Sequence, residues 1–430
     1  MVSGGTRAVA RGDALGVAPH SDEAGMLCRA YLTPAFAEAQ QAIAGWMAEA
    51  GMATRIDAAA NLIGNYAGTS DAPALIIGSH IDSVRDGGRY DGPLGVMLGI
   101  ECVAALSAAG KRMPFPIEVI AFGDEEGSRF PASMLTSRAV AGVLGDGAIE
   151  VVDGDGVSLA DALHAHSVRF ERSREMELGA PVGFSTSLET NGEFASAKHA
   201  PALAYLEAHI EQGPVLAAEG LPVGIVTGIA AQLRYRVTVC GTAGHAGTSP
   251  MGMRRDALTA AAEMVLAVER IAGEDASDLV ATVGKLEAAP GAPNVIPGRV
   301  VFTIDVRSGD EARRDAAAEA ILDEIAGISD RRDVAFAAER VNDLAASPCD
   351  PALMDMLEQA VQAEGVAARR LVSGAGHDAM VMASLCPIAM LFIRCRGGIS
   401  HNPAEHVEPA DAEVALSAML GFIDRLGERV

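Results

Sequence analysis

Two short aliphatic runs constrain the fold of this chain more than any other feature. Ala74-Leu75-Ile76-Ile77-Gly78 and Ile117-Glu118-Val119-Ile120-Ala121-Phe122 each read as a strand, and Pro93 to Ala109 between them reads as a helix. Strands separated by helical stretches imply a largely parallel sheet covered by helices. Each run gives way to a polar cluster, Ser79-His80 in the first case and Gly123-Asp124-Glu125-Glu126 in the second. Ligands bind beyond the carboxyl ends of strands in such sheets, so both clusters fall where a site belongs. An earlier helix is signalled by Thr33 as cap, Pro34 in the first turn, Phe36, Ile43 and Met47 on one face, and Gly51 at the end.

The pattern changes near Ala231. Gln232 to Val239 alternates like a strand with one wet face, a helix follows from Arg254 to Ile271, and strands are expected at Leu279–Leu286 and Val300–Val306. A helix over Asp310–Ile328 and a strand over Val334–Ala338 complete the order β-α-β-β-α-β, the ferredoxin-like split unit. Beyond Val341 the first style resumes, with a helix from Pro351, a Gly-rich loop over Ser373-Gly374-Ala375-Gly376-His377, a strand over Pro387–Ile393 and a helix from Ala410. The expected fold is an α/β domain formed by residues 1–225 and 343–430, interrupted by a ferredoxin-like insert over 226–342.

Composition narrows the function. At roughly 100–200 residues per domain, 430 residues make two or three domains, and 50% hydrophobic residues fill real cores. The 33 Lys and Arg against 57 Asp and Glu leave a formal charge of −24, which argues against nucleic acid or anionic membrane as partners. The apolar stretch after Val96 is broken by Glu101, too early for a membrane span. The first twenty residues lack the apolar centre of a signal peptide. Six scattered cysteines with no Cys-x-x-Cys pair read as small buried residues of a cytoplasmic protein.

The chemistry concentrates at the strand ends. His80 with Asp82 two residues on suits a metal ligand and the carboxylate that orients its far ring nitrogen. Asp91, at the start of the next helix, is placed to reach back to the same ion. Taken singly, His80 also reads as a turn histidine and Asp91 as a helix cap. The crowded carboxylates of Asp124-Glu125-Glu126 repel one another unless a cation compensates, the alternative being a solvated acidic loop. Neighbouring side chains point different ways, so one of these carboxylates suits a metal and another a base facing substrate. His20, His164 and His166 lie in polar surroundings and are assigned to the surface. His209, at a helix that Gly213-Pro214 interrupts, His245, and His401 after another buried strand are further candidates. Together His80, Asp91, Glu126, His209 and His401 supply five mixed nitrogen and oxygen donors. That number suits two divalent ions sharing one bridging carboxylate, with zinc, manganese, cobalt or nickel all compatible.

Seven motifs then occur in a telling order: Gly78-Ser79-His80-Ile81-Asp82-Ser83-Val84, Tyr90-Asp91-Gly92 with Gly95-Val96, Glu125-Glu126-Gly127-Ser128-Arg129-Phe130, His209-Ile210-Glu211-Gln212-Gly213-Pro214, Gly244-His245-Ala246-Gly247, Asn294-Val295-Ile296-Pro297-Gly298, and Gly397-Gly398 with Ser400-His401-Asn402-Pro403. From about Ala14 to its end the chain resembles the hydantoinase/carbamoylase amidases. These comprise N-carbamoyl-L-amino-acid hydrolases, β-ureidopropionases and allantoate amidohydrolases, within the dinuclear-metal aminoacylase and carboxypeptidase superfamily. The resemblance implies that Asp91 bridges two metals, with His80 and His209 completing one site and Glu126 and His401 the other. It implies Glu125 as general base and Asp82 as the partner of His80. The wider peptidase superfamily commonly has a carboxylate where His209 stands, which favours an amidase. Glu211 is the rival ligand, ranked second because it lies on a different helical face from His209.

By the same resemblance Gln212, His245, Asn294 and Arg307 bind substrate, His245 also being suited to stabilise the developing oxyanion. His377 and Asp378 are further candidates. The guanidinium fork of Arg307 matches a carboxylate, although the residues alone favour an edge-strand salt bridge with Asp305 or Asp310. The expected reaction is hydrolysis of a ureido C–N bond in a small anionic substrate, allantoate first, with Arg394 and Arg396 available to a second ureido oxygen. N-carbamoyl-L-amino acids and N-carbamoyl-β-alanine are the alternatives. A metallo-aminopeptidase or deacylase, or a metal-binding protein without catalysis, are the competing classes. The resemblance further implies a homodimer through the inserted domain, which would also close over the metals.

Overall fold

A computed structural model describes residues 2–145, 147–178 and 197–430. The chain divides into two compact units, Met1–Thr227 with Cys349–Leu371 and His377–Val430, and Gly228–Pro348 with Val372–Gly376. The sheet of the first unit has four parallel strands at its centre, in the spatial order Ile117–Phe122, Leu75–His80, Ala204–Ile210 and Ile388–Ile393. Antiparallel strands Leu62–Tyr66 and Ala53–Ile56 extend one side, and Val223–Ile229 the other. Apart from Glu118, every residue of the four central strands is buried. Burial on both faces is why these strands read as continuous aliphatic runs rather than as alternation. The expected α/β architecture is the observed one.

Helix Pro93–Ala108 is buried almost all round, through Leu94, Val96, Met97, Leu98 and Ile100. The one charge in its middle, Glu101, is 1% exposed and accepts hydrogen bonds from Arg7 Nη2 at 2.6 Å and Arg11 Nη1 at 2.8 Å. The residue that interrupts the apolar stretch therefore anchors the N-terminal helix Gly4–Leu15. Among the described residues no helix is long and apolar enough to cross a membrane.

In the second unit the order is strand Ala231–Cys240, helix Ala257–Gly273, strands Val280–Thr282, Leu286–Ala289 and Arg299–Ser308, helix Glu311–Arg332 and strand Ala335–Leu344. The antiparallel sheet runs Leu286–Ala289, Arg299–Ser308, Ala231–Cys240, Ala335–Leu344, with Val280–Thr282 also paired to Arg299–Ser308. Val237, Val239, Phe302 and Ile304 from the strands meet Met264, Ile321 and Ile325 from the helices in one core. Both helices start on a carboxylate cap, Asp256 and Asp310, which accept backbone N–H groups of the first turn.

Several expectations are corrected. His209 lies in strand Ala204–Ile210, not in a helix. Its neighbour Glu207 is fully buried there and bonded by Ser79, Tyr205 and the Ala379 N–H, contacts that favour the extended chain over local helix propensity. His166, assigned to the surface, is 3% exposed in helix Leu159–Leu178, with Nε2 2.8 Å from Gln40 Oε1. The expected strand Leu279–Leu286 is two short strands broken at Gly284, and the last strand runs to Leu344 through an irregularity between Arg340 and Asn342. Of the cysteines expected in the interior, Cys240 is exposed and Cys28 part-exposed.

Replacing Glu101 with Ala leaves the guanidinium of Arg11 without its buried partner. A loss of about 1–3 kcal/mol is expected in chemical denaturation, with new protease cleavage inside Gly4–Leu15.

Candidate metal centre

Parallel pairing puts the ends of neighbouring strands side by side. His80 closes Leu75–His80, and His209 is the penultimate residue of Ala204–Ile210. Both are about 1% exposed, and their Nε2 atoms lie 3.4 Å apart. His80 Nδ1 is 3.2 Å from the Asp82 carbonyl oxygen and 3.5 Å from Asp82 Oδ1, while His209 Nδ1 is 2.9 Å from the Ile210 carbonyl oxygen. Carbonyl acceptors at both Nδ1 atoms favour ring protons there, which leaves the two Nε2 atoms facing each other as donors to a cation.

Asp91 meets them from the turn before helix Pro93–Ala108. Its Oδ1 is 3.2 Å from His209 Nε2 and 3.9 Å from His80 Nε2, buried and without a hydrogen-bond donor. Its Oδ2 is 3.2 Å from His401 Nε2, which is in turn 3.4 Å from Glu126 Oε1. The turn fits because residue 92 is glycine. Its φ is +84°, and a Cβ there would lie 2.5 Å from the His80 ring.

Among the described residues three donor groups emerge: His80 with Asp91 and His209, Asp91 with Glu126 and His401, and His80 with Glu125 and Glu126. Asp91 belongs to the first two; the first is fully buried, while His401 leaves the second open to solvent. Donors at about 2.0–2.1 Å from a tetrahedral zinc lie about 3.3 Å apart, close to the 3.2–3.4 Å of four of these contacts, His80 Nε2 to Asp91 Oδ1 being longer at 3.9 Å. Facing lone pairs in a buried pocket repel, and a cation between them removes the conflict. The residues fit a pair of divalent ions on these grounds. Against the burial penalty, His209 and His401 hold the Asp91 carboxyl well below the usual carboxylate range. The same contact with Asp91 pushes His401 up to about 9.

Glu125 stands beside the pair, its Oε2 4.0 Å from His80 Nε2. Burial pushes its carboxyl well above the ordinary range. Asp82 does more than face His80: its two oxygens accept the backbone N–H groups of Glu125 and Glu126, each at 3.2 Å. One fully buried carboxylate thus ties the His80 strand end to the acidic loop, a link that sequence spacing does not reveal. Glu211, the rival ligand, belongs to none of the three groups, and its oxygens accept from the N–H groups of Val215 and Leu216 at 2.8 and 2.9 Å. Gln212 donates from Nε2 to Asp91 Oδ2 at 2.9 Å. The buried His377 ring packs edge-on to His209 at 4.5 Å, and burial lowers its basicity well below normal. Asp378 follows it as the first residue of the short helix Asp378–Met382, also buried.

His245, Asn294 and Arg307 lie in the second unit. Gly244–His245 pairs with Val295–Ile296, and the Asn294 carbonyl accepts from the Ala246 N–H at 2.9 Å, so one ribbon carries both side chains. Arg307 is on the paired strand Arg299–Ser308, not an edge, and forms the salt bridge with Asp305 at 2.7 Å. Asp305 also accepts from Gln232 and Arg234. Arg394 and Arg396, expected to face a ureido oxygen, are instead paired with Asp411 and Glu408 at the start of the last helix. Carboxylates close by in sequence capture both guanidiniums.

With this geometry in view, the sequence pattern of peptidase family M20/M25/M40 matches residues 76–425. The chain belongs to that family. It is 40% identical over 438 residues to an allantoate deiminase of Arabidopsis thaliana, covering 94% of this chain and 79% of that one. It is 39% identical over 391 residues to an N-carbamoyl-L-amino acid amidohydrolase of Geobacillus stearothermophilus, 91% of each chain being covered. A solved hydantoinase/carbamoylase family amidase from Burkholderia multivorans superposes with a TM-score of 0.87 at 33% identity, over 98% of both chains.

After chelation and dialysis against zinc or manganese, elemental analysis is expected to find two ions per M20-family chain. His401→Ala should hold one, and Asp91→Ala fewer than one.

Proposed function

We propose that this chain is a two-metal amidohydrolase that cleaves a ureido C–N bond of allantoate, with ammonia and carbon dioxide as products. The observation that carries the reading is the pair of donor groups sharing Asp91, one buried and one opening to solvent at His401, with the Glu125 carboxylate beside them. The identity to allantoate deiminase over 94% of the chain supports the substrate.

When bound, two divalent ions lower the pKa of water and hold developing negative charge. The residues do the rest. His80, Asp91 and His209 hold one ion, and Asp91, Glu126 and His401 the other. Asp82 keeps His80 in its Nδ1–H tautomer and fixes the two acidic residues by their N–H groups. Glu125, whose burial raises its proton affinity, takes a proton from the attacking water and delivers it to the leaving nitrogen. The resulting carbamate decomposes to carbon dioxide and ammonia. His245 donates to the carbonyl oxygen as charge develops there. Arg307 and Asn294 bind the substrate carboxylate, and Gln212 steadies both Asp91 and the substrate. Zinc or manganese is the proposed metal, with cobalt and nickel compatible with the same donors.

We further propose a cytoplasmic homodimer joined through the second unit. The exposed Leu258 and Leu266 of helix Ala257–Gly273, 36% and 63% accessible, supply apolar surface for it. The free cysteines suit a reducing compartment. A second substrate reading, N-carbamoyl-L-amino acids, rests on the Geobacillus relative.

Metal-loaded protein should release ammonia from allantoate faster than from N-carbamoyl-L-amino acids or N-carbamoyl-β-alanine. Turnover of the latter two alone would reject allantoate. Glu125→Gln should keep both ions and lose about 10²–10⁴-fold in kcat.

A further inference from the structure

Beyond these residues, one buried carboxylate contacts the backbone of the shared ligand. Glu405, four residues after His401, is 5% exposed, and its Oε1 accepts the N–H groups of Tyr90 at 2.8 Å and Asp91 at 3.1 Å. The space it fills exists because residue 88 is glycine: a Cβ there would lie 2.0 Å from the Glu405 carboxyl carbon. The loop that carries it is itself braced, since the Glu405 N–H donates to the Asn402 carbonyl at 3.0 Å and the Ala404 N–H to Asn402 Oδ1 at 2.9 Å. The opposite side of the same turn is held separately, by Tyr90 OH donating to Asp13 Oδ1 at 2.8 Å.

We propose that Glu405 is a positioning residue that fixes the backbone of Asp91 and couples it to the His401 loop, so that one carboxylate reaches both ions. The assignment rests on the two-metal reading above. The loop acts at both ends: His401 approaches Asp91 Oδ2, while Glu405 grips the Asp91 N–H from behind. A carboxylate accepting two successive N–H groups fixes the peptide plane between them, and with it the direction of the Asp91 Cα–Cβ bond. Asp91 joins the His80–His209 group to the Glu126–His401 group, so a shift of its backbone loosens both ions together. Loss of a first-layer ligand such as His401 acts on one ion only. Partners of metal ligands at this distance are commonly worth 10–100-fold in affinity.

The test is calorimetric titration of zinc into chelator-stripped full-length protein, with circular dichroism to verify folding. Glu405→Ala is expected to weaken both binding events about 10–100-fold. Glu405→Gln keeps a carbonyl oxygen that can accept the same two N–H groups, and should stay within about threefold of wild type. Gly88→Ala, whose methyl group displaces the Glu405 carboxyl, should reproduce the alanine defect. It also serves if Glu405→Ala does not fold. Tyr90→Phe removes the Asp13 contact on the same turn and should lower thermal stability without changing zinc affinity. Wild-type affinity for both ions in folded Glu405→Ala or Gly88→Ala overturns the proposal. So does a defect confined to one ion, or a glutamine variant as weak as the alanine. The failures are separable. Wild-type protein that binds two ions but leaves every ureide intact rejects the proposed reaction and spares the role of Glu405. Protein that binds no pair of ions rejects both.

Discussion

Two imidazoles and a carboxylate, all buried, aim Nε2 and Oδ1 atoms at one point between His80, His209 and Asp91. With a proton on each Nδ1, where a carbonyl oxygen lies at 3.2 and 2.9 Å, the facing Nε2 lone pairs repel in a low-dielectric pocket unless a proton or a metal ion stands between them. The same carboxylate turns its second oxygen to His401, where the situation repeats with Glu126. A pocket of this kind is organised around positive charge, and the surrounding structure follows from keeping it in place.

The parallel sheet is what makes the arrangement possible. Neighbouring parallel strands end at the same edge, so His80 and His209 converge without any long side chain having to reach. Helix Pro93–Ala108 then presents its first turn, and Asp91, to that edge through a glycine that lets the backbone approach the His80 ring. Asp82 stitches the acidic loop to the first strand by accepting the N–H groups of Glu125 and Glu126. Each connecting segment is short, and each is held by a buried hydrogen bond rather than by its own stiffness. Several of these bonds run from a carboxylate to backbone N–H groups, the geometry in which charge stabilises a loop most effectively.

Much of this was legible in the sequence because aliphatic runs bounded by polar clusters have few other meanings. Leu75–His80, Ile117–Phe122 and Ile388–Ile393 read as buried strands from composition alone, and the motifs at their ends pointed to His80, Glu125, Glu126 and His401. The segment around His209 misled, since Glu207 and Ala208 dilute the aliphatic signal and the buried bonds of Glu207 are made by residues far along the chain. The salt bridges of Arg394 and Arg396 have nearer partners, Asp411 and Glu408, but depend on the turn that brings the last helix back beside strand Ile388–Ile393. His166 gave no signal at all: its burial depends on packing against Phe36 and Gln40, more than a hundred residues away. Glu405 was within reach. It stands four residues beyond His401, and the buried Val407 two residues on marks the segment as turned inward.

Anomalous diffraction at the metal edge, from crystals of the zinc-loaded protein, tests the central claim most directly. The account predicts two peaks about 3.5–4 Å apart, with one Asp91 oxygen bonded to each. A single peak, or two that do not share Asp91, would contradict it.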